Sequence, residues 1–308
     1  MLAVRVADTR GVTEPDVIFH ADWSTNARKR WAARAVLRDG SYVAGGTKPV
    51  ADARSLMRSL EGSRTFLGFD FPIGVPRSWA QRAGVDSFRE FLSLVGQGEW
   101  RDFFRVAEHP EEISLRRPFY PARPGGRRQA HLVDALAMSA MGDLLRRCER
   151  PQPGRRAACT LFWTLGGNQV GRAALAGWRD VLIPSPDRLA LWPFDGELTG
   201  LLRSEHPVVA ETYPGEVYRH LGVSGPKSVR SARAENGNAL RAAASRLGVN
   251  LEPELQSEID SGFASDDHFD AFVGLLGMIE VIRGRPSGEP RDDPPVVTVE
   301  GWILGQAA

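Results

Sequence analysis

The sequence predicts an α/β protein: a mixed sheet of three antiparallel strands followed by parallel strands, flanked by helices and carrying a large helical and loop insertion. Three observations point there. Short apolar runs close on an acid at Val17 to Asp22, Thr65 to Asp70 and Val208 to Glu211, and such runs read as strands covered on both faces. Asp39-Gly40 separates two further strand-like runs, the turn dipeptide of a tight hairpin. A long apolar stripe at helical spacing, Phe269, Phe272, Val273, Leu276 and Ile279, follows Ser265-Asp266.

Taken in order, the first strand runs into Asp22, and the runs Arg30–Leu37 and Ser41–Ala44 form the hairpin around Asp39-Gly40. Strands one to three are therefore antiparallel and sequential. Asp52 to Leu60 reads as a helix, with Ala53, Leu56, Met57 and Leu60 on one stripe, and the Asp70 strand follows. Right-handed crossovers would set the Asp22, Asp70 and Glu211 strands side by side and parallel. Between them, about 75–206 reads as an insertion into one domain spanning 1–308, with helical patterns at His131–Arg147 and Gln169–Asp180 and a strand-like stretch at Cys159–Leu165. Near the end, Gly284–Pro295 reads as an exposed loop and Val296–Val299 as a last strand.

Composition narrows the function. At 308 residues, with 42% hydrophobic and 25% charged residues, the chain matches an ordinary soluble globular protein. A net charge of +1 provides no global field toward nucleic acid, so such binding needs a local patch. Of the basic residues only Lys29, Lys48 and Lys227 are lysine, a bias that reads as codon usage more than as chemistry. Cys148 and Cys159 lack zinc-site spacing and are too few for a disulfide scaffold. Charges interrupt the first twenty residues, and no apolar run reaches the length of a membrane span. These features predict a cytoplasmic protein without a membrane partner.

The acids carry the chemistry. In open α/β sheets ligands bind beyond the carboxyl ends of the strands, where Asp22, Asp70 and Glu211 all fall. Two unit charges about 4 Å apart repel by roughly 4 kcal/mol at an effective dielectric near 20. A shared proton or a divalent cation must offset that, and a set of carboxylates without thiolate favours Mg²⁺ or Mn²⁺. Asp70 stands inside an otherwise apolar segment, where an acid needs a partner or a function. Asp22 alone would read as a strand-ending turn residue, and Glu211 alone as a partner for an arginine. Asp266 and Asp267 follow Ser265, a good N-cap, and acids there also suit the helix dipole; Asp270 lies beyond that turn. Asp267 with Asp270 is the preferred pair and Asp266 the reserve. His268 is the only histidine beside these acids, with a helix-surface role as its plainer reading.

Several segments are candidate substrate contacts. Arg116 to Arg128 interleaves Arg116, Arg117, Arg123, Arg127 and Arg128 with Phe119 and Tyr120 and holds no acid. Such a loop suits a nucleic-acid backbone, with Tyr120 or Phe119 stacking a base, and equally a solvated basic loop. Gly166 to Ala173 has the glycine spacing of a phosphate loop but carries Arg172 and Ala173 where Lys and a hydroxyl are required, which rejects a nucleotide triphosphatase. Its Gln169 and the backbone amides of the following helix start could hold a phosphate, with a structural turn as the plainer reading. Lys227 is either a phosphate neutraliser or a surface lysine. Gly-x-Ser-x-Gly and His-Glu-x-x-His are absent, which lowers esterase and zinc-protease readings.

The element order is that of the ribonuclease H fold. Asp22-Trp23-Ser24, Phe69 to Gly74, Phe162 to Gln169, Glu211-Thr212-Tyr213-Pro214, Asp267 to Ala271 and Glu300 to Leu304 together resemble the family called domain of unknown function 429, described as predicted nucleases of the ribonuclease H-like superfamily. The Asp-x-x-Asp-Ala segment of the last helix is also similar to that of Holliday-junction resolvases. The resemblance implies a metal-dependent nuclease or phosphodiesterase in which Asp22, Asp70, Glu211, Asp267 and Asp270 hold Mg²⁺ or Mn²⁺, acting on nucleic acid or a small phosphodiester. A protein that binds nucleic acid or nucleotide without hydrolysing it is the alternative. An actin-like phosphotransferase is less favoured, because it needs the fold twice plus glycine-rich phosphate loops.

Overall fold

A computed structural model describes residues 14–50, 52–59, 62–152, 155–166, 170–184 and 186–307. The start of the chain, Leu60 and Gln169 lie outside the described residues. The strands are β1 (Val17–Asp22), β2 (Trp31–Arg38), β3 (Ser41–Ala44), β4 (Lys48–Pro49), β5 (Thr65–Phe69), β6 (Ala190–Leu191), β7 (Val208–Glu211) and β8 (Val249–Leu251). They form one sheet in the order β6-β7-β5-β1-β2-β3-β8, with β4 beside β2. β1, β2 and β3 are antiparallel, as is β4 to β2. β1, β5, β7 and β6 run parallel to one another, and β8 runs parallel to β3.

The expected hairpin forms, with Asp39 (φ 49°) and Gly40 (φ 78°) both in the left-handed region that a two-residue primed turn requires. The helix after it spans Ala53–Ser59, started by Asp52 accepting from the Arg54 and Ser55 amides. Other expectations change. Val296–Glu300 is a helical turn instead of a strand, because Pro295 enters it in helical conformation and Gly301 (φ 70°) turns the chain out of it. Cys159–Leu165 is irregular, touching Tyr120 through a single bridge at Trp163. The His131–Arg147 pattern yields only the helix Ala130–Ala135 and two short turns. The insertion also delivers β6 to the sheet edge, and β8 extends the opposite edge unforeseen.

Each face of the sheet has its own core. Val17, Phe19, Ala21, Leu67, Phe69 and Val209 face the insertion, where Trp79 packs at 5.4–5.9 Å from Phe91, Trp100, Phe103 and Phe162. Ile18, Phe66, Val208 and Ala210 face the helix Asp266–Ile282. That helix is buried on nearly all sides, as its apolar composition dictates. It approaches β1 closely because Gly274 leaves room for His20, whose ring would sit 2.1 Å from an added Cβ. His20 donates from Nδ1 to the Ala271 carbonyl and accepts at Nε2 from the Thr212 hydroxyl; burial lowers its pKa to about 4 and keeps it neutral.

The segment after β5 crosses the C-terminal segment at Gly74 and Gly301. The Val75 amide donates to the Val299 carbonyl, and a Cβ on Gly74 (φ 127°) would stand 2.1 Å from the Glu300 carbonyl oxygen. Gly74→Ala is therefore expected to cost about 2–4 kcal/mol, through combined backbone strain and overpacking. Urea unfolding measures it; a change within 0.5 kcal/mol, roughly the spread of neutral surface substitutions, would contradict this crossing. Among the described residues, no helix is long and apolar enough to cross a membrane.

Candidate carboxylate site

Strand register decides which acids meet. Ala21, Phe69 and Glu211 lie level on β1, β5 and β7, and Asp22, Asp70 and Thr212 stand one step further on. Side chains alternate between faces, so Asp22 and Asp70 point toward the helix Asp266–Ile282 while Glu211 points to the insertion. The helix starts there and supplies Asp267 and Asp270. Asp22 feels the charges of Asp70, Asp270 and Asp267, so the four acids share one electrostatic neighbourhood at this end of the sheet.

The environment strains their charges. Burial first, then Asp70, Asp270 and Asp267, push the Asp22 carboxyl up to about 10. Burial, with a contribution from Asp270, pushes Asp70 to about 7, although the Trp23 amide donates to its Oδ1 at 2.6 Å and opposes the shift. Asp267 and Asp270 are raised mainly by burial as well. Around Asp270, the Tyr218 hydroxyl donates to Oδ1 and the Lys227 ammonium to Oδ2. Burial disfavours the Lys227 charge, but Asp270 more than offsets this and raises its pKa. Lys29 acts on Asp267 from the turn Ala27–Lys29.

Glu211 is the correction. Arg146, fully buried, donates from Nη1 to its Oε2 at 2.6 Å and from Nη2 to its Oε1 at 2.7 Å, and the Ile73 amide donates to Oε2 at 2.7 Å. The same guanidinium donates from Nε to Glu149 at 2.9 Å and from Nη1 to the Ile73 and Glu300 carbonyls. Glu211 is thus one end of a buried arginine fork that joins three distant segments, on the face away from the aspartates.

The proposed substrate contacts are also redistributed. Arg116 pairs with Glu99 and covers the Trp100 ring at 3.7 Å, and Arg117 donates to the Arg105 and Val106 carbonyls. Phe119 and Tyr120 are buried, the Tyr120 hydroxyl bonding His131, so neither ring offers a face to a base. Arg127 leans on His109, whereas Arg128 is exposed. His268 stacks on Trp31 at 3.5 Å and bonds the Thr47 hydroxyl. Ser265 holds the N-cap position without capping; its hydroxyl reaches toward Asp267. Sequence reasoning missed Tyr218, Lys29 and the Trp23 amide. Only the presence of two of the three lysines near the aspartates carried a signal, one easily read as composition.

Among the described residues, no group of three or more His, Cys, Asp or Glu side chains stands ready as a metal-ligand set. Two surface clefts, of about 280 and 370 Å³, are lined by none of the four aspartates. The donor chemistry nonetheless suits a hard divalent cation: four carboxylates with raised pKa values share the site with one bonded ammonium. Comparison with protein-family models, with curated proteins and with solved structures finds no match.

Proposed function

We propose that the protein is a metal-dependent phosphodiester hydrolase of ribonuclease H-like fold, a nuclease or phosphodiesterase whose Asp22, Asp70, Asp267 and Asp270 hold Mg²⁺ or Mn²⁺. The observation that carries this reading is the convergence of Asp22 and Asp70, at the ends of neighbouring parallel strands, with the first turns of a buried helix that brings Asp267 and Asp270. The strand order, antiparallel through β1, β2 and β3 and parallel through β1, β5 and β7, supports the same reading.

When bound, the ion would acidify the attacking water and stabilise charge developing on the phosphate. The chain's own residues set the stage for it. The Trp23 amide fixes the Asp70 carboxylate, and Tyr218 fixes Asp270. Asp22 holds a proton at neutral pH and must release it when it becomes a ligand. Lys29 and Lys227 supply positive charge on the rim, where a phosphate of nucleic acid or of a small phosphodiester would arrive.

The test is cleavage of labelled single-stranded, duplex, hybrid and junction substrates and of small phosphodiesters, in Mg²⁺, Mn²⁺ or chelator. Asp70→Asn keeps an acceptor for the Trp23 amide but removes a charge, and should lower turnover at least about 10²-fold. Metal-dependent cleavage at undiminished rate in that variant would reject the site.

A further inference from the structure

We propose that Lys227 is a tethered counter-cation, seated on Asp270 in the metal-free protein and displaced when a divalent ion binds. The proposal rests on the metal-binding reading above and adds an exchange step to it. The ammonium of Lys227 donates to Oδ2 of Asp270, while Tyr218 takes Oδ1. The Asp270 side chain is 5% exposed and that of Lys227 is 47% exposed, so the lysine reaches in from solvent and has a route back out.

Its backbone has no such freedom. Arg233 is buried, and its guanidinium donates to the carbonyls of Lys227, Gly262 and Phe263. One side chain thereby ties the loop that carries Lys227 to the segment that leads into the aspartate helix. The side chain is left to swing about a fixed pivot.

Charge supplies the driving force. The Lys227 ammonium faces Asp22, Asp70, Asp267 and Asp270 with one charge, whereas a divalent ion would bring two and could take several carboxylate oxygens at once. A divalent ion held by the Asp270 carboxylate would repel an ammonium bonded to that same carboxylate, so the two would compete for the seat. The expelled ammonium stays on its tether beside the site, able to meet a phosphate oxygen. Competition of this kind weakens apparent metal affinity by the fraction of molecules in which the seat is taken.

The chain has only Lys29, Lys48 and Lys227, so lysine labelled with ¹³C at Cε gives three side-chain signals in the intact protein, the missing one in Lys227→Gln assigning the third. Lys48 pairs with Glu254 outside the site and serves as the internal control. Mg²⁺ titration is expected to shift the Lys227 signal saturably and leave Lys48 still. By calorimetry, Lys227→Gln should bind Mg²⁺ about tenfold tighter or more, and Lys227→Arg should stay within a few-fold of the original. If Mg²⁺ binds and Asp70→Asn abolishes it, yet the Lys227 signal does not move and Lys227→Gln binds no tighter, the exchange is wrong and the metal site stands. If Mg²⁺ binds to none of these proteins, both the exchange and the metal site are overturned.

Discussion

Replacement of Arg146 by alanine is expected to destabilise the fold by about 3–5 kcal/mol, the cost of breaking a buried ion pair from one side. The side chain is fully buried, and its donors serve Glu211, Glu149 and the carbonyls of Ile73 and Glu300. Truncation leaves Glu211 and Glu149, both under 5% exposed, without a counter-charge. Burial already raises the Glu149 pKa while Arg146 lowers it, so the loss of the arginine pushes that carboxyl further toward its neutral form. Lysine cannot repair the damage, because a point charge does not reproduce the bidentate fork on Glu211. Arg146→Met combined with Glu211→Gln should recover part of the loss, since it removes both charges together. Urea unfolding of the single and double variants measures this; a single-variant loss under 1 kcal/mol would show that Glu211 has another partner.

Asp22→Asn is expected to act in the opposite direction on the metal-free protein. The ordinary carboxyl value is 3.8, and the folded state holds Asp22 near 10 and Asp70 near 7. The folded protein therefore binds these protons more tightly than the unfolded chain. Their stabilising contribution is complete below about pH 4 and fades as pH rises, up to about 7 for Asp70 and about 10 for Asp22. Replacing the Asp22 carboxyl, which must take up a proton on folding at pH 8, should gain on the order of 2 kcal/mol there and little at pH 4. Mg²⁺ should raise the melting temperature of the original protein most at high pH and do much less for the variant. Melting curves from pH 4 to 9 decide it, and a variant that is no more stable than the original at pH 8 would contradict the crowding of these acids.

The sequence made the central strands legible because short apolar runs closing on an acid signalled them, and Asp39-Gly40 named its own turn. β6 and β8, of two and three residues, are too short to show a period, and only pairing with β7 and β3 makes them strands. Val296–Val299 has strand composition, but Pro295 and Gly301 bracket it and the Gly74 crossing fixes it, so tertiary context overrides propensity. For the proposed site, the sequence showed that Asp22, Asp70 and Glu211 close their strands but not which face of the sheet each takes. A strand-end acid is visible in one chain segment, whereas register belongs to a pair of strands, and one residue of offset sent Glu211 to the opposite side from Asp22 and Asp70. Arg116 and Arg117 carried charge without showing that Glu99 and two carbonyls would claim it.

The carboxylate site is tested most directly by anomalous diffraction from crystals soaked in Mn²⁺. A manganese peak bounded by Asp22, Asp70 and the aspartates of the Asp266–Ile282 helix is expected, with the Arg146 fork on Glu211 unbroken. A peak that includes Glu211, or saturating Mn²⁺ with no peak at Asp70, would contradict it.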